Sequence, residues 1–411
     1  MGKLDKLKIA LLSVASKLGM GAAKKPDEHT EEKEAAREPA PAEKSIRRHA
    51  FAVSSIGHSH KKEGTLCQDW AETAEGDGFL IIAVSDGHGS RNFVRSDRGS
   101  RFACRAALDA MHDFASEIRA EHIVGSRRAN EVVSMLCKNI IMRWRDAVNE
   151  DVKTCPFTED EVKNVSDKYR ESYLAGEQAE HAYGATLIAL LITEEYMLAI
   201  RNGDGECVTV SRRGYMDKPI PWNDKCEASV VTSMCDRSAI DEFRFFYTTD
   251  LPAAAFIGTD GVDNSYPRTE ELFELYANIC TEAVDNGAEN MKSELEAFLP
   301  VMTEKGSGDD VSIAAILDSE LLNGVRDELM EQRMRVERTH ELRRLNRRLV
   351  RLGDQESDEA SALKDEISQL EAAIRADREK ARELAAAAEA EKAAAVKAEW
   401  DSEIWDDVKK R

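Results

Sequence analysis

The sequence lacks several features that would point to particular classes of protein. No apolar stretch approaches the roughly 20 residues that a membrane-spanning helix needs, so no membrane span is expected. Lysine and arginine (57) are outnumbered by aspartate and glutamate (78), and the net charge of −21 argues against nucleic acid as a partner. The eight cysteines include no Cys-x-x-Cys pair, which indicates a reduced, cytoplasmic protein.

What the chain does have is aspartate at the ends of short apolar runs. Three such runs adjoin acids: 78–84 before Asp86, 253–257 before Asp260, and 311–317 after Asp309. Runs of this length bounded by glycine and acids are typical of buried strands, so the acids are expected at the rim of a sheet. Acids brought together there repel one another unless a cation lies between them.

The donors in such a site are oxygen atoms, which suit Mg²⁺ or Mn²⁺ better than Zn²⁺. The glycine after Asp86 also fits, because a residue without Cβ lets its own carbonyl approach an ion. Each Asp-Gly pair taken alone is equally a turn between strands. Three in one chain, with His88 beside the first, favour a polyacidic metal site built from distant segments.

The residues around these acids resemble the metal-dependent protein phosphatases of type 2C, the PPM family, in a divergent bacterial-type subgroup. The resemblance covers about 53–318 and rests on eight ordered segments: 54–60, 64–69, 84–89, 96–100, 183–187, 202–205, 258–263 and 307–312. It implies an α+β fold, a four-layer α-β-β-α sandwich, here with a C-terminal helical or coiled-coil extension. Alternating helix-like and strand-like stretches agree with that architecture.

The resemblance also implies a site and an activity. Two Mn²⁺ or Mg²⁺ ions, with a weaker third in some members, would be held by Asp69, Asp86, the Gly87 carbonyl, Asp204, Asp260 and Asp309. Asp86 would bridge two ions that share a hydroxide, and His88 would act as general acid for the leaving alcohol. The implied function is hydrolysis of phosphoserine and phosphothreonine in proteins without a covalent phosphoenzyme.

Two departures from the family pattern bear on this function. Gln68 stands where many members have glutamate, and Gly64 stands where many have the arginine that binds the substrate phosphate. Phosphate binding is therefore expected from His60, Lys61, Lys62 and Gln68. The departures leave a second hypothesis open, a catalytically weak phosphatase-like scaffold that recruits a phosphoprotein or kinase through its coiled coil. A small phosphorylated metabolite is a third possible substrate.

Composition divides the chain into three parts: 1–45, 46–318 and 319–411. The first combines an amphipathic N-terminal helix, for docking to a partner or a membrane surface, with a disordered linker rich in Pro, Glu, Ala and Lys. The second is the catalytic domain, in which 150–178 is a polar insertion near the active face. Trp222, in a flap over 219–242, either contacts substrate or pins that loop.

The third part has apolar residues at heptad spacing in two arms: Leu342, Leu345, Leu349 and Leu352, then Leu363, Ile367, Leu370 and Ile374. This pattern predicts two helices of similar length in an antiparallel coiled-coil hairpin, or one longer helix with a break, followed by an acidic aromatic tail. Two heptads per arm are marginally stable alone. A protein partner or the catalytic domain is therefore expected to cover the seam.

Overall fold

The computed structural model of the chain describes residues 47–123, 126–226, 231–352 and 357–409. The expected N-terminal helix and linker of 1–45 lie outside the described residues. Within them, ten strands form two antiparallel five-stranded sheets. The first sheet has the order β1-β10-β9-β6-β7 and the second the order β2-β3-β4-β5-β8. The strands are β1 (Arg48–Ser55), β2 (Trp70–Gly76), β3 (Phe79–Ser85), β4 (Leu187–Thr193), β5 (Met197–Asn202), β6 (Glu206–Val210), β7 (Met216–Asp217), β8 (Arg244–Thr248), β9 (Ala254–Gly258) and β10 (Val311–Asp318).

Helices cover the outer faces of both sheets. They are α1 (His58–Glu63), α2 (Ser96–Glu117), α3 (Ser126–Thr154), α4 (Glu159–Val162), α5 (Asp167–Leu174), α6 (Ala239–Glu242), α7 (Asp260–Asp263), α8 (Thr269–Asn286), α9 (Ala288–Lys305), α10 (Ser319–Gly324), α11 (Arg326–Arg351) and α12 (Asp358–Lys409). Short 3₁₀ turns span Ala120–His122 and Ala179–Tyr183. The four longest helices of the sandwich are α2, α3, α8 and α9.

The layers follow from the alternation of side chains along each strand. In β3, Ile81 packs with the core under α2 and α3, whereas Ile82 packs with the core between the sheets. In β10, Ile313 packs against α8 and α9, and Ala314 faces the other sheet. Successive strand residues point to opposite faces, so strands that are apolar on both faces must be covered on both. The predicted four-layer α-β-β-α sandwich is confirmed.

The two ends of the sandwich domain meet in one pair of strands. β1 and β10 are antiparallel over their whole length, from Arg48 opposite Asp318 to Ser55 opposite Val311. The side chain of Asp318 also accepts a hydrogen bond from Arg47 Nε at 2.8 Å. Antiparallel hairpins join β4 to β5 and β6 to β7.

Beyond β10, α11 and α12 lie antiparallel. Their ion pairs run in opposite order along the two helices: Arg348 with Glu359, Arg338 with Asp377, and Glu331 with Lys380. Leucines of both predicted arms meet in one buried cluster around Leu345, Leu363 and Ile367. The two helices are not of similar length, since α11 has 26 residues and α12 has 52. The alanine-rich segment after the second arm continues the same helix.

The first arm of this hairpin packs on the sandwich domain. The buried carboxylate of Glu271 in α8 lies 3.3 Å from Arg343 and 3.4 Å from His340, both in α11. Arg326 and Asp285 pair at 2.7 Å near the other end of the contact. The domain itself therefore covers part of the hairpin. No helix in the described segments is long and apolar enough to cross a membrane.

Candidate metal centre

Five predicted metal-binding aspartates lie at strand ends of the two sheets. Asp69 precedes β2 and Asp86 follows β3, both in the second sheet, while Asp260 follows β9 and Asp309 precedes β10 in the first. Asp204 lies in the turn between β5 and β6, which joins the two sheets. These strand ends lie along one edge of the two packed sheets, so acids that are far apart in sequence lie near one another.

The electrostatics of Asp86 show that the five acids form one group. Burial raises the pKa of Asp86 well above its ordinary value, and the charges of Asp69, Asp260, Asp309 and Asp204 each raise it further. Like charges act on one another this way only at short range. The other four aspartates that the sequence singled out therefore lie within electrostatic range of Asp86.

Two other members of the group are also perturbed. Burial and the neighbouring Asp310 and Asp260 raise the pKa of Asp69 to about 8, against the opposing hydrogen bond from Thr259. Burial, Asp204 and Asp309 raise the pKa of Asp260 to about 6. A side-chain hydrogen bond with Asp86 acts in the opposite direction on the pKa of Asp260.

The donors fit a divalent cation. Asp69 is buried; its Oδ2 accepts a hydrogen bond from Thr259 Oγ1 at 2.7 Å, while its buried Oδ1 has no partner. An unpaired buried carboxylate oxygen is costly unless a cation or donor satisfies it. In the described part of the chain, no three acidic, histidine or cysteine side chains already converge as ligands. The aspartates are a loose all-oxygen group, whose repulsion Mg²⁺ or Mn²⁺ would relieve.

Gly87 is held where no other residue fits. A Cβ at this position would lie 2.6 Å from the Ser96 carbonyl oxygen and 2.7 Å from that of Gln68. The Gly87 N–H donates to the Gln68 carbonyl at 3.1 Å, and Gly87 forms an isolated β-bridge with Ala185. Backbone from three segments therefore encloses Gly87.

His88, the predicted general acid, lies between the aspartates and an aromatic cluster. Its backbone N–H donates to the Gly184 carbonyl at 3.1 Å, and its ring contacts Phe93 edge to face with centroids 4.8 Å apart. Burial and the nearby His181 lower the pKa of His88 to about 4. The imidazole is therefore neutral at pH 7 and keeps one N–H donor.

The polar insertion predicted at 150–178 supports the loop that follows His88. Tyr173 in α5 donates to the Asn92 carbonyl at 3.0 Å, and the Ser166 N–H donates to Asn92 Oδ1 at 3.1 Å. Phe93 stacks on His181 with centroids 4.7 Å apart. Sequence reasoning gave the insertion its location but missed these contacts, since nothing local in the sequence marks Asn92 or Tyr173.

The four residues predicted to bind phosphate do not share one role. His60 Nδ1 lies 2.9 Å from Asp310 Oδ1, whereas Lys61 and Lys62 lie exposed on α1. Gln68 turns its amide toward Ser96 Oγ at 2.7 Å. The structure thus directs His60 and Gln68 to other residues of the chain and leaves the two lysines facing solvent.

Sequence reasoning missed the role of Asp310. Its two carboxylate oxygens accept hydrogen bonds from the backbone N–H groups of Gly57 and Gln68, each at 2.6 Å. Asp310 therefore ties β1 and the segment carrying Asp69 to the start of β10. The doubled aspartate at 309–310 was the available signal, but the sequence alone assigned ligand chemistry only to Asp309.

Trp222 in the flap is half exposed and lies over a buried cation. The guanidinium carbon of Arg201 is 5.0 Å from the centroid of the Trp222 ring. Arg201 also donates to the Pro221 carbonyl at 2.9 Å and pairs with Glu206 at 3.1 Å. These contacts favour the interpretation that Trp222 pins the flap to the sandwich.

Comparison with known proteins was made at the levels of sequence and fold. A sequence model of the family described as protein phosphatase 2C matches residues 56–300. No curated protein matches the chain. A solved bacterial serine phosphatase is 11% identical, with a TM-score of 0.42, covering 66% of this chain and 97% of its own.

Two further solved structures are similar over the same part of the chain. PppA of Pseudomonas aeruginosa is 14% identical with a TM-score of 0.41, and covers 66% of this chain and 97% of its own. The catalytic domain of the serine/threonine phosphatase PstP, solved with two manganese ions, is 13% identical with a TM-score of 0.39, and covers 66% and 97%.

Proposed function

Since the chain belongs to the protein phosphatase 2C family of protein serine/threonine phosphatases, we propose that it hydrolyses phosphoserine and phosphothreonine in proteins with divalent metal ions. The observation that carries the proposal is the group of four acids acting on Asp86 from four other segments of the chain. A solvated turn aspartate has no reason to be buried among like charges. Such a group is typical of a site that binds cations.

The residues that would hold two Mn²⁺ or Mg²⁺ ions, with a third bound more weakly, are Asp69, Asp86, the Gly87 carbonyl, Asp204, Asp260 and Asp309. When bound, such a pair supplies a water of lowered pKa at neutral pH and positive charge for the phosphoryl oxygens. The unpartnered Oδ1 of Asp69 and the raised pKa values of Asp86 and Asp260 support this ligand set.

The chain's own residues position the reaction. Thr259 fixes the Asp69 carboxylate through one oxygen, and the other oxygen has no hydrogen-bond partner. The ring of His88 is oriented by Phe93 and by its backbone bond to Gly184. As a neutral imidazole, His88 would donate its N–H to the leaving oxygen of serine or threonine as negative charge develops there.

The test is hydrolysis of an aryl phosphate and of phosphopeptides by the purified full chain. We expect turnover only with added Mn²⁺ or Mg²⁺, and a loss of at least about 100-fold in Asp86→Asn and Asp260→Asn. Asp113→Asn, at an exposed aspartate paired with Arg143, is the matched control and should retain full activity. Equal turnover in excess chelator would refute the proposal.

One observation favours a second candidate, a phosphatase-like scaffold with weak or no catalysis. The chain has Gly64 where the phosphate-binding arginine is expected, and His60 is engaged by Asp310. Calorimetric titration with Mn²⁺ separates the two candidates. Uptake of two ions with turnover supports the enzyme, whereas uptake of fewer than two ions without turnover supports the scaffold.

We further propose the division of the chain into 1–45, the catalytic domain 46–318 and the extension 319–411, with the extension as the surface for a protein partner. The pairing of β1 with β10 supports the two inner boundaries. All eight cysteines lie in described segments as free thiols, which supports a reducing compartment such as the cytoplasm.

A further inference from the structure

Gln68 stands directly before Asp69, where the resemblance to type 2C phosphatases leads one to expect glutamate. We infer that Gln68 is a positioning residue whose amide holds the backbone of His88 and the start of α2 beside the aspartates, and that it is a ligand of neither metal nor phosphate. The inference rests on the proposed phosphatase function. It gives a residue that departs from the family pattern a role of its own.

The contacts of the Gln68 side chain are made within the protein. Its Nε2 donates to Ser96 Oγ at 2.7 Å and to the His88 carbonyl at 3.4 Å. A carbonyl oxygen can only accept a hydrogen bond. The group that faces His88 must therefore be the amide NH₂, which fixes the orientation of the side chain.

The backbone of Gln68 is engaged on both sides as well. Its N–H donates to Asp310 Oδ2 at 2.6 Å, and its carbonyl accepts from the Gly87 N–H at 3.1 Å. Together with the side-chain bonds, one residue joins the start of β10, the segment after β3 and the first turn of α2. A shift of Gln68 would move several parts of the site together.

Glutamate cannot reproduce these contacts. An ionised carboxylate has no donor, so it would face the His88 carbonyl with negative charge on both sides. It would also add charge beside Asp69 and Asp310, where the charge of Asp310 already raises the pKa of Asp69. Only the bond to Ser96 would survive, with the serine hydroxyl turned to donate. The amide is therefore the side chain that this arrangement requires.

The position of Gly87 makes the role consequential for function. The carbonyl oxygens of Ser96 and Gln68 form the walls against Gly87, as a Cβ there would approach each of them within 2.7 Å. The amide of Gln68 ties Ser96 to its own segment, so it keeps these two walls together. The Gly87 carbonyl and the His88 ring lie on the backbone held in this way.

The experiment is a double-mutant cycle with Gln68→Met and Ser96→Ala in the full chain, with Gln369→Met, at an exposed position of α12, as the matched control. Each site variant loses the hydrogen bond, and we expect kcat on a phosphopeptide to fall about tenfold. KM and the calorimetric Kd for Mn²⁺ should stay within about twofold of wild type. The double variant should be no more than about twofold worse than Gln68→Met, since both changes remove the same contact.

The alternatives predict different results. If Gln68 were a metal ligand, Gln68→Met would bind Mn²⁺ about tenfold more weakly, and Gln68→Glu would bind it more tightly. Ser96→Ala would leave the affinity for Mn²⁺ unchanged. If Gln68 bound the substrate phosphate, Gln68→Met would raise KM and leave kcat unchanged. Either pattern, or a kcat unchanged in both single variants, would overturn the inference. Gln68→Glu should instead lose kcat as Gln68→Met does, because both lack the donor.

Hydrogen exchange makes the test independent of turnover. In Gln68→Met and in Ser96→Ala, the amide protons of the segment 86–95 should exchange about tenfold faster than in the control, while those of α8 stay unchanged. If the wild-type chain shows no turnover, the proposed function fails and exchange alone decides on Gln68. If Gln68→Met does not fold, Ser96→Ala carries the same measurements, and unchanged exchange there would overturn the role.

Discussion

The raised pKa of Asp69 predicts that the metal-free protein loses stability as the pH rises toward 8. Burial and the charges of Asp310 and Asp260 move the pKa of this carboxyl from 3.8 to about 8 in the folded protein. Between these values the folded state holds a proton that the unfolded chain has released. A group whose pKa is raised by folding favours the folded state at low pH, and this contribution is lost as the pH increases.

The size of the effect follows from the shift. Each pH unit between the two pKa values lowers the free energy of unfolding by about 1.4 kcal/mol. From pH 6.5 to pH 8 the loss from Asp69 is about 1.6 kcal/mol rather than the full-slope value of about 2.1 kcal/mol, because the slope decreases near the folded pKa. For a domain of this size, that lowers the melting temperature by about 3 to 6 °C. Asp86, whose pKa is also raised, adds to the loss in the same direction.

The pH window is chosen to separate Asp69 from His88. Burial lowers the pKa of His88 from 6.5 to about 4, so its contribution is fully present above pH 6.5 and is lost only as the pH falls below that value. Calorimetric melting in chelator at pH 6.5, 7, 7.5 and 8 therefore reports the carboxyl groups.

Asp69→Asn should reduce the fall of the melting temperature with increasing pH, whereas Asp113→Asn should leave this fall unchanged. Saturating Mn²⁺ should raise the melting temperature at pH 8 more than at pH 6.5, because the ion binds the ionised carboxylates. A melting temperature of the metal-free wild type that is constant or rises from pH 6.5 to pH 8 would refute the reasoning.

Three further predictions concern the parts around the site. Asp310→Asn leaves one of two buried backbone donors, at Gly57 or Gln68, without its acceptor and should lower the free energy of unfolding by about 1 to 3 kcal/mol, measured by urea denaturation; an unchanged midpoint would contradict it. Glu271→Gln weakens the contact of α8 with α11 and should speed limited proteolysis of the hairpin, while equal cleavage rates would speak against that contact. Leu363→Ala leaves a cavity in the seam and should cost the hairpin about 2 to 4 kcal/mol, and a thermal melt without an earlier helical transition would count against it.

The elements and the acids of the site could be predicted from the sequence because both leave local patterns. The apolar run 311–317 and the heptad spacing of the leucines can both be recognised directly in the sequence. The five aspartates each adjoin a strand end, and strand ends of packed sheets share an edge. The sequence therefore predicted carboxylates at strand ends, without giving the register of the strands.

The remaining parts of the site depend on contacts between residues that are remote in sequence. The acceptor for the Gln68 N–H is Asp310, which lies 242 positions later in the chain. The support of Asn92 by Tyr173 is likewise a hydrogen bond to a backbone carbonyl, and such a bond leaves no trace in residue type. The sequence predicted that a partner or the domain would cover the hairpin, but it did not identify α8 as the contact, because a heptad pattern gives the seam of a hairpin and not the surface against which it rests.

The origin of the site in both sheets has a mechanical consequence. Asp69 and Asp86 extend from one sheet, and Asp260 and Asp309 extend from the other, so an ion that binds all four would act as a cross-link holding the sheets at one spacing. Small residues such as Ala314 in the middle layer allow the close approach of the sheets. A larger side chain there would increase the separation of the sheets. We would then expect a lower affinity for the proposed cations without any substitution at the rim.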